Sequence, residues 1–99
     1  MSPTAAGPGR ALFNSYPLEH VEGVYRGLIG YKPDVRPFIL TRSAFAGIQR
    51  DGAAVWSGDV ASRWDNFREQ ISAGINMSMS GVPNGSTDIG GYTRAPRFL

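Results

Sequence analysis

Between residues 16 and 30 the apolar side chains return every third or fourth position, as Leu18, Val21, Val24, Tyr25 and Leu28. That spacing collects them on one face, so an amphipathic helix is predicted from Tyr16 to about Gly30. Asn14 or Ser15 can cap its start and Pro17 is tolerated in its first turn; Gly30 and Lys32-Pro33-Asp34 end it. The pattern then changes. Pro37 to Thr41 is a short, nearly continuous apolar run, which predicts a strand buried on both faces, as in a parallel sheet. Ala53-Ala54-Val55-Trp56 is a second such run and leads into Ser57-Gly58-Asp59. Ser62 is the predicted cap of a second helix, with Trp64, Phe67 and Ile71 on one face, and the apolar stretch Ile75 to Met79 continues it. Gly81 to Ile89 reads as a third, weaker strand. Residues 1–12 read as a loop or disordered tail, and 93–99 as an unpatterned tail. Strand, helix and strand in alternation predict an α/β fold with parallel strands.

Composition narrows this little. Ninety-nine residues suffice for one small domain with a modest core. The hydrophobic fraction of 41% and aromatic fraction of 11% are ordinary for a globular protein. No apolar run approaches the roughly eighteen residues of a membrane span, so none is predicted. Met1-Ser2-Pro3-Thr4-Ala5-Ala6-Gly7-Pro8-Gly9 lacks the basic-then-apolar order of a signal peptide, and the compartment stays open. The net charge is only +2 and the basic residues are scattered, which argues against a nucleic-acid partner. With no Cys there is no disulfide, thiolate nucleophile or Cys-based zinc site. His20 is the only His, so no His cluster offers to bind a metal.

Three charged residues stand just past the predicted strand ends: Arg42 after Phe38-Ile39-Leu40-Thr41, Asp59 after Val55-Trp56, and Asp88 after the Val82 stretch. In β/α barrels the active site is built at that edge of the strands. One Arg and two Asp converging there can grip a polyhydroxylated substrate, and two Asp can form a catalytic pair if their separation suits. Each of the three also fits a loop residue that solvates a turn, and Trp56 fits a core position as well as a ligand platform. His20 reads as a surface or cap residue, and Asp34, Asp51 and Asp65 as turn or helix-surface carboxylates. Asn76-Met77-Ser78 and Asn84-Gly85-Ser86 match the N-glycosylation sequon, a pattern that arises often by chance.

Longer blocks carry more. Arg36-Pro37-Phe38-Ile39-Leu40-Thr41-Arg42-Ser43-Ala44-Phe45-Ala46-Gly47, then Ala53 to Asp59, then Ala73 to Pro83, then Thr87-Asp88-Ile89-Gly90-Gly91-Tyr92 resemble, in order, the core of glycoside hydrolase family 31, the α-glucosidases and α-xylosidases. The helix from Asn14-Ser15-Tyr16-Pro17-Leu18 fits the segment the family places before them, so the resemblance covers about residues 13–92. It implies a partial (β/α)8 barrel, from the helix after strand four to strand seven. It implies that Asp59 is the general acid/base of a retaining α-glycosidase. Arg42 matches an arginine that contacts the sugar in the glycone subsite, Trp56 an aromatic wall, and Asp88 a carboxylate that hydrogen-bonds or supports that site. Tyr92 stands where the family usually has Phe.

Retention needs two carboxyl groups about 5–5.5 Å apart, one to attack the anomeric carbon and one to protonate the leaving oxygen. The family's nucleophile lies in a Trp-x-Asp block upstream of the Asn-x-Tyr-Pro-Leu region, and no residue of this chain matches it. Residues 84–86 depart from the family, which usually has aromatics near Asn84-Gly85; Asp51 stands where an aromatic is common, and Thr93 to Leu99 do not follow it. The expected substrate is an α-linked oligosaccharide or glycoside, with no metal or organic cofactor, and the isolated chain is expected to be inactive. Two other readings stand beside this one: a non-catalytic carbohydrate-binding or interaction fragment, and a truncated reading frame without function.

Overall fold

The helix predicted from Tyr16 forms, and in the computed structural model, which describes residues 3–93, it is α2, Tyr16–Tyr31. Its apolar stripe explains its docking: Val21 is fully buried, and Leu18 and Tyr25 pack beside it. Ser15 is the N-cap residue, but its hydroxyl donates back to the Leu12 carbonyl rather than capping the helix. Lys32 closes the last turn through its N–H to the Leu28 carbonyl, and Pro33 prevents continuation.

Three short strands follow, β3 (Leu40–Thr41), β4 (Ala54–Trp56) and β5 (Gly85–Ser86), paired in parallel in the order β3-β4-β5. Leu40 pairs with Ala54, Thr41 with Val55, Val55 with Gly85 and Trp56 with Ser86. Between β3 and β4 the chain makes a 3₁₀ turn, Ile48–Asp51. Between β4 and β5 runs α3, Trp64–Met79. The α/β alternation with parallel strands is therefore as expected.

Helix α3 ends in a Schellman motif. The N–H of Val82 reaches the Met77 carbonyl and that of Gly81 the Ser78 carbonyl, with Gly81 at φ +85°. The motif turns Val82 inward, where it is 6% exposed and joins Val21, Ile39, Ile48, Ala53 and Val55 in the core, with Met77 packed against them. Residues from both α2 and α3 thus meet the face of the sheet that carries Val55. Ala54 and Trp56 point from the opposite face, because side chains alternate along a strand. No helix among the described residues covers that opposite face. Helices on one face only are what a strand-lined barrel requires, whereas a doubly wound open sheet has them on both.

Several local expectations change. Residues 3–12, read as loop or tail, carry a two-residue hairpin, β1 (Pro3–Thr4) with β2 (Gly7–Pro8), and one helical turn, α1 (Gly9–Leu12). The run Pro37–Thr41 forms only two residues of strand and is not buried on both faces: Ile39 is buried, whereas Phe38 and Leu40 are exposed. Ser62 is not the cap of α3; Arg63 holds that position, and the Ser62 N–H is taken by the Thr93 carbonyl at 2.7 Å. Asp51 is not a surface turn residue but is buried under the 3₁₀ turn, 3.6 Å from the Arg50 Nε. Arg50 also bonds Glu22 at 2.6 Å, and Glu22 holds Arg26, so ion pairs fasten the 3₁₀ turn to α2. Residues 94–99 of the expected tail lie outside the described residues.

The core is small for the chain. The solvent-accessible surface is 7819 Å², against roughly 5500 Å² for a folded monomer of this mass. Trp64, Phe67, Ile71, Ile75 and Met79 are all exposed, and α3 buries no residue. Among the described residues both edges of the sheet are open as well, a template for association. The isolated 99-residue chain is therefore predicted to bind a hydrophobic dye and to show no cooperative thermal transition by circular dichroism. A sharp melt without dye binding would refute this.

Candidate active site

The register of β4 between its neighbours decides which side chains meet. Trp56 shares a face with Ala54, and so with Leu40, the partner of Ala54, and with Ser86, its own partner. Two residues beyond Leu40 is Arg42, and two beyond Ser86 is Asp88. All three therefore leave the same face at the C-terminal edge of the sheet, and their side chains touch. The Arg42 guanidinium carbon lies 5.2 Å from the centroid of the Trp56 ring, within cation–π range. On the other side the Trp56 indole N–H donates to Asp88 Oδ1 at 3.0 Å. Asp88 Oδ2 is buried and has no hydrogen-bond partner among the described residues. One step further out, Ser57 Oγ lies 3.1 Å from Thr87 Oγ1, linking the two strand ends.

Gly58 turns the chain at φ +84° immediately after this edge, and it is buried beneath Arg42. A Cβ there would sit 2.8 Å from both Nε and Nη2 of Arg42. The glycine thus gives both the left-handed turn and the room for the guanidinium. Asp59 follows it and is exposed, with no side-chain hydrogen bond or ion pair among the described residues. It stands on the loop three residues beyond Trp56, just after the Gly58 turn.

Tyr92 joins the same edge through its backbone. The N–H groups of Tyr92 and Thr93 both reach the Val60 carbonyl, at 2.8 and 3.1 Å, and Thr93 bridges Ala61 in parallel. The stretch after β5 is so clipped to the loop that carries Asp59, while the Tyr92 ring stays 70% exposed. Gly91 makes the clip possible: a Cβ on it would lie 2.7 Å from the Ser62 backbone nitrogen and Cα. An apolar groove of about 970 Å³ opens behind Asp88, between Ile89-Gly90 and the α3 side chains Trp64, Phe67 and Ile71.

Residue patterns alone missed two participants. Gly58 and Thr87 carry no chemical signature, and only the fold brings them against Arg42 and Ser57. His20 stacks on Tyr16 on the surface of α2, well removed in the chain from this edge. Among the described residues no three of His, Asp or Glu gather as a metal site would require, and no helix is long and apolar enough to cross a membrane.

The sequence profile of the glycosyl hydrolases family 31 TIM-barrel domain matches residues 2–98. The chain belongs to this family. The match takes in residues 2–12 and 93–98, beyond the blocks that carry the resemblance. The chain is 49% identical over 86 residues to an alpha-xylosidase of Saccharolobus solfataricus, covering 87% of this chain and 12% of that protein. It is 40% identical over 83 residues to alpha-glucosidase 2 of Bacillus thermoamyloliquefaciens, covering 84% of this chain and 10% of that one. Among solved structures it superposes on the family 31 alpha-xylosidase of Xanthomonas citri with a TM-score of 0.92 at 51% identity, covering 99% of this chain and 11% of the enzyme. This family 31 chain thus spans about a tenth of the length of the relatives it matches.

The Gly91 contact yields a test in a chimera, the X. citri enzyme with its matching stretch replaced by these 99 residues. Gly91→Ala is predicted to destabilise it by more than about 1 kcal/mol, read as a lowered Tm. Gly85→Ala, where nothing lies within 4 Å of an added Cβ, is predicted to shift Tm less. Equal shifts would show that the clip does not depend on Gly91.

Proposed function

We propose that this chain supplies the acid/base half of the active site of a retaining α-glycosidase acting on α-xylosides or α-glucosides. On this reading Asp59 is the general acid/base, Arg42, Trp56 and Tyr92 form the wall that receives the sugar, and Asp88 supports that wall. β3, β4 and β5 then correspond to barrel strands five, six and seven, and α2 to the helix after strand four. The observation that carries the proposal is the convergence at one sheet edge: an exposed carboxyl three residues beyond Trp56, the centre of a cation–aromatic–carboxylate row, in a chain of family 31. Membership of that family favours α-glycoside chemistry over the other sugar-binding roles such a row can serve.

The chemistry follows from the residue types. Asp59 begins protonated and gives its proton to the glycosidic oxygen as a second carboxylate attacks the anomeric carbon. Bond breaking to the leaving group and bond making to the nucleophile leave a glycosyl ester. Asp59, now a carboxylate, takes a proton from water, and the oxygen of that water attacks the anomeric carbon and frees the nucleophile. The nucleophile is assigned to a part of the enzyme outside these 99 residues, and none of Asp34, Asp51, Asp65 or Asp88 is given that role. Asp51 is excluded by its place under the 3₁₀ turn, ahead of β4 rather than beyond it. Arg42 and the rings orient the sugar, so that the reacting atoms meet in attack geometry. No cofactor enters this scheme, and the isolated chain, lacking a nucleophile, is inactive.

The chimera tests this. It is predicted to hydrolyse 4-nitrophenyl α-xyloside or α-glucoside, whereas the isolated chain does not. Asp59→Asn in the chimera is predicted to lower kcat/KM roughly 10²–10⁴-fold for an alkyl glycoside. The loss should shrink for a dinitrophenyl glycoside, whose leaving group needs no proton. An Asp59→Asn chimera as active as its parent on alkyl glycosides would end the proposal.

A further inference from the structure

We propose that Asp88 is a positioning residue: it sets the Arg42 guanidinium through the Trp56 ring, rather than by touching the sugar itself. This deepens the reading of the site given above and rests on it.

Three observations meet here. First, Arg42 makes no ion pair and donates no hydrogen bond among the described residues, although its guanidinium lies over Trp56 and against Gly58. A ring face and a backbone therefore hold a cation that a carboxylate would usually hold. Second, the charge expected beside Arg42 is at the edge of the indole, where Asp88 Oδ1 accepts the Trp56 N–H at 3.0 Å. Third, the other Asp88 oxygen is buried against the protein.

The physics joins them. A carboxylate at the indole N–H fixes the ring plane by a charge-assisted bond. It also polarises the ring, so that the face under Arg42 becomes more negative and the cation–π contact gains. Gly58 completes the seat by leaving no Cβ between the guanidinium and the turn. The donors of Arg42 stay unspent on protein partners and are free for sugar hydroxyls. A direct Asp88–Arg42 pair would tie up those donors, so placing the carboxylate at the N–H edge of the ring keeps the cation in position and available.

A double-mutant cycle in the chimera decides between the relay and direct sugar contact. Asp88→Ala removes the acceptor, and Trp56→Phe removes the N–H while keeping a ring. Each is expected to weaken xylose inhibition, and to raise KM for 4-nitrophenyl α-xyloside, by about tenfold. The relay predicts that the double variant also loses about tenfold, and that Asp88→Ala changes xylose affinity no further once Arg42→Ala is in place. Losses that multiply, or an Asp88→Ala loss that persists at full size without Arg42, would overturn it. A loss of stability alone would lower the fraction of active enzyme without moving KM or the xylose inhibition constant, and that result also counts against the relay. Failure of the glycosidase reading would show differently, as Asp59→Asn without effect.

Discussion

The parallel register of β4 between β3 and β5 is the constraint on which everything else depends. Side chains alternate faces along a strand, so a slip of one residue would exchange the two faces completely. In the observed register Val55 points toward the helices, and Ala54 and Trp56 point away from them. Arg42 and Asp88, each two residues beyond a partner on the Trp56 face, arrive on that face too. The same pairing therefore makes the core and the row of candidate site residues. Only small contributions guard it: four paired strand positions are too few to fix a sheet by hydrogen bonds alone. The Schellman end of α3 returns the chain at the right height for β5, and the Val60–Tyr92 clip holds the far side of the loop.

Much of this order was legible in the sequence, for local reasons. The three- and four-residue spacing of Leu18, Val21, Tyr25 and Leu28 is a property of α2 itself, and the helix follows it. The run Ala53–Trp56 is β-prone and bounded by glycine, and the strand is where it was expected. Errors fall where a distant partner overrides a local preference. Ser62 has the chemistry of a cap, yet its backbone N–H is bound by Thr93, thirty-one positions on in the chain. Asp51 has the polarity of a turn residue, yet the 3₁₀ geometry folds it under Arg50. Phe38 and Leu40 read as doubly buried because an apolar run is the mark of a parallel strand with both faces covered. In this chain one face has no cover.

That uncovered face bears on the site as much as on stability. Arg42, Trp56 and Asp88 stand on the side of the sheet that a closed barrel turns inward, where water is scarce and charges interact strongly. In the open chain Arg42 is exposed and Trp56 and Asp88 are half-buried. Asp59 is exposed, with no side-chain hydrogen bond or ion pair among the described residues. On the proposed reading, a second carboxylate and a closed wall complete its surroundings. The ordering of Arg42 is different in kind, since ring, glycine turn and carboxylate all lie within residues 42–88.

The site thus divides by what each part can do alone. Placement is local: it is set by register and by one glycine turn, all between residues 40 and 88. Reactivity is collective, because it requires a second carboxylate and a closed wall. A stretch that keeps its geometry at a TM-score of 0.92 to a complete enzyme can still lack catalysis, since geometry at the 5 Å scale and electrostatics at the 10 Å scale come from different amounts of protein. Asp59 belongs to both halves. Its position follows from Gly58 and the end of β4, whereas the acid role proposed for it requires a second carboxylate.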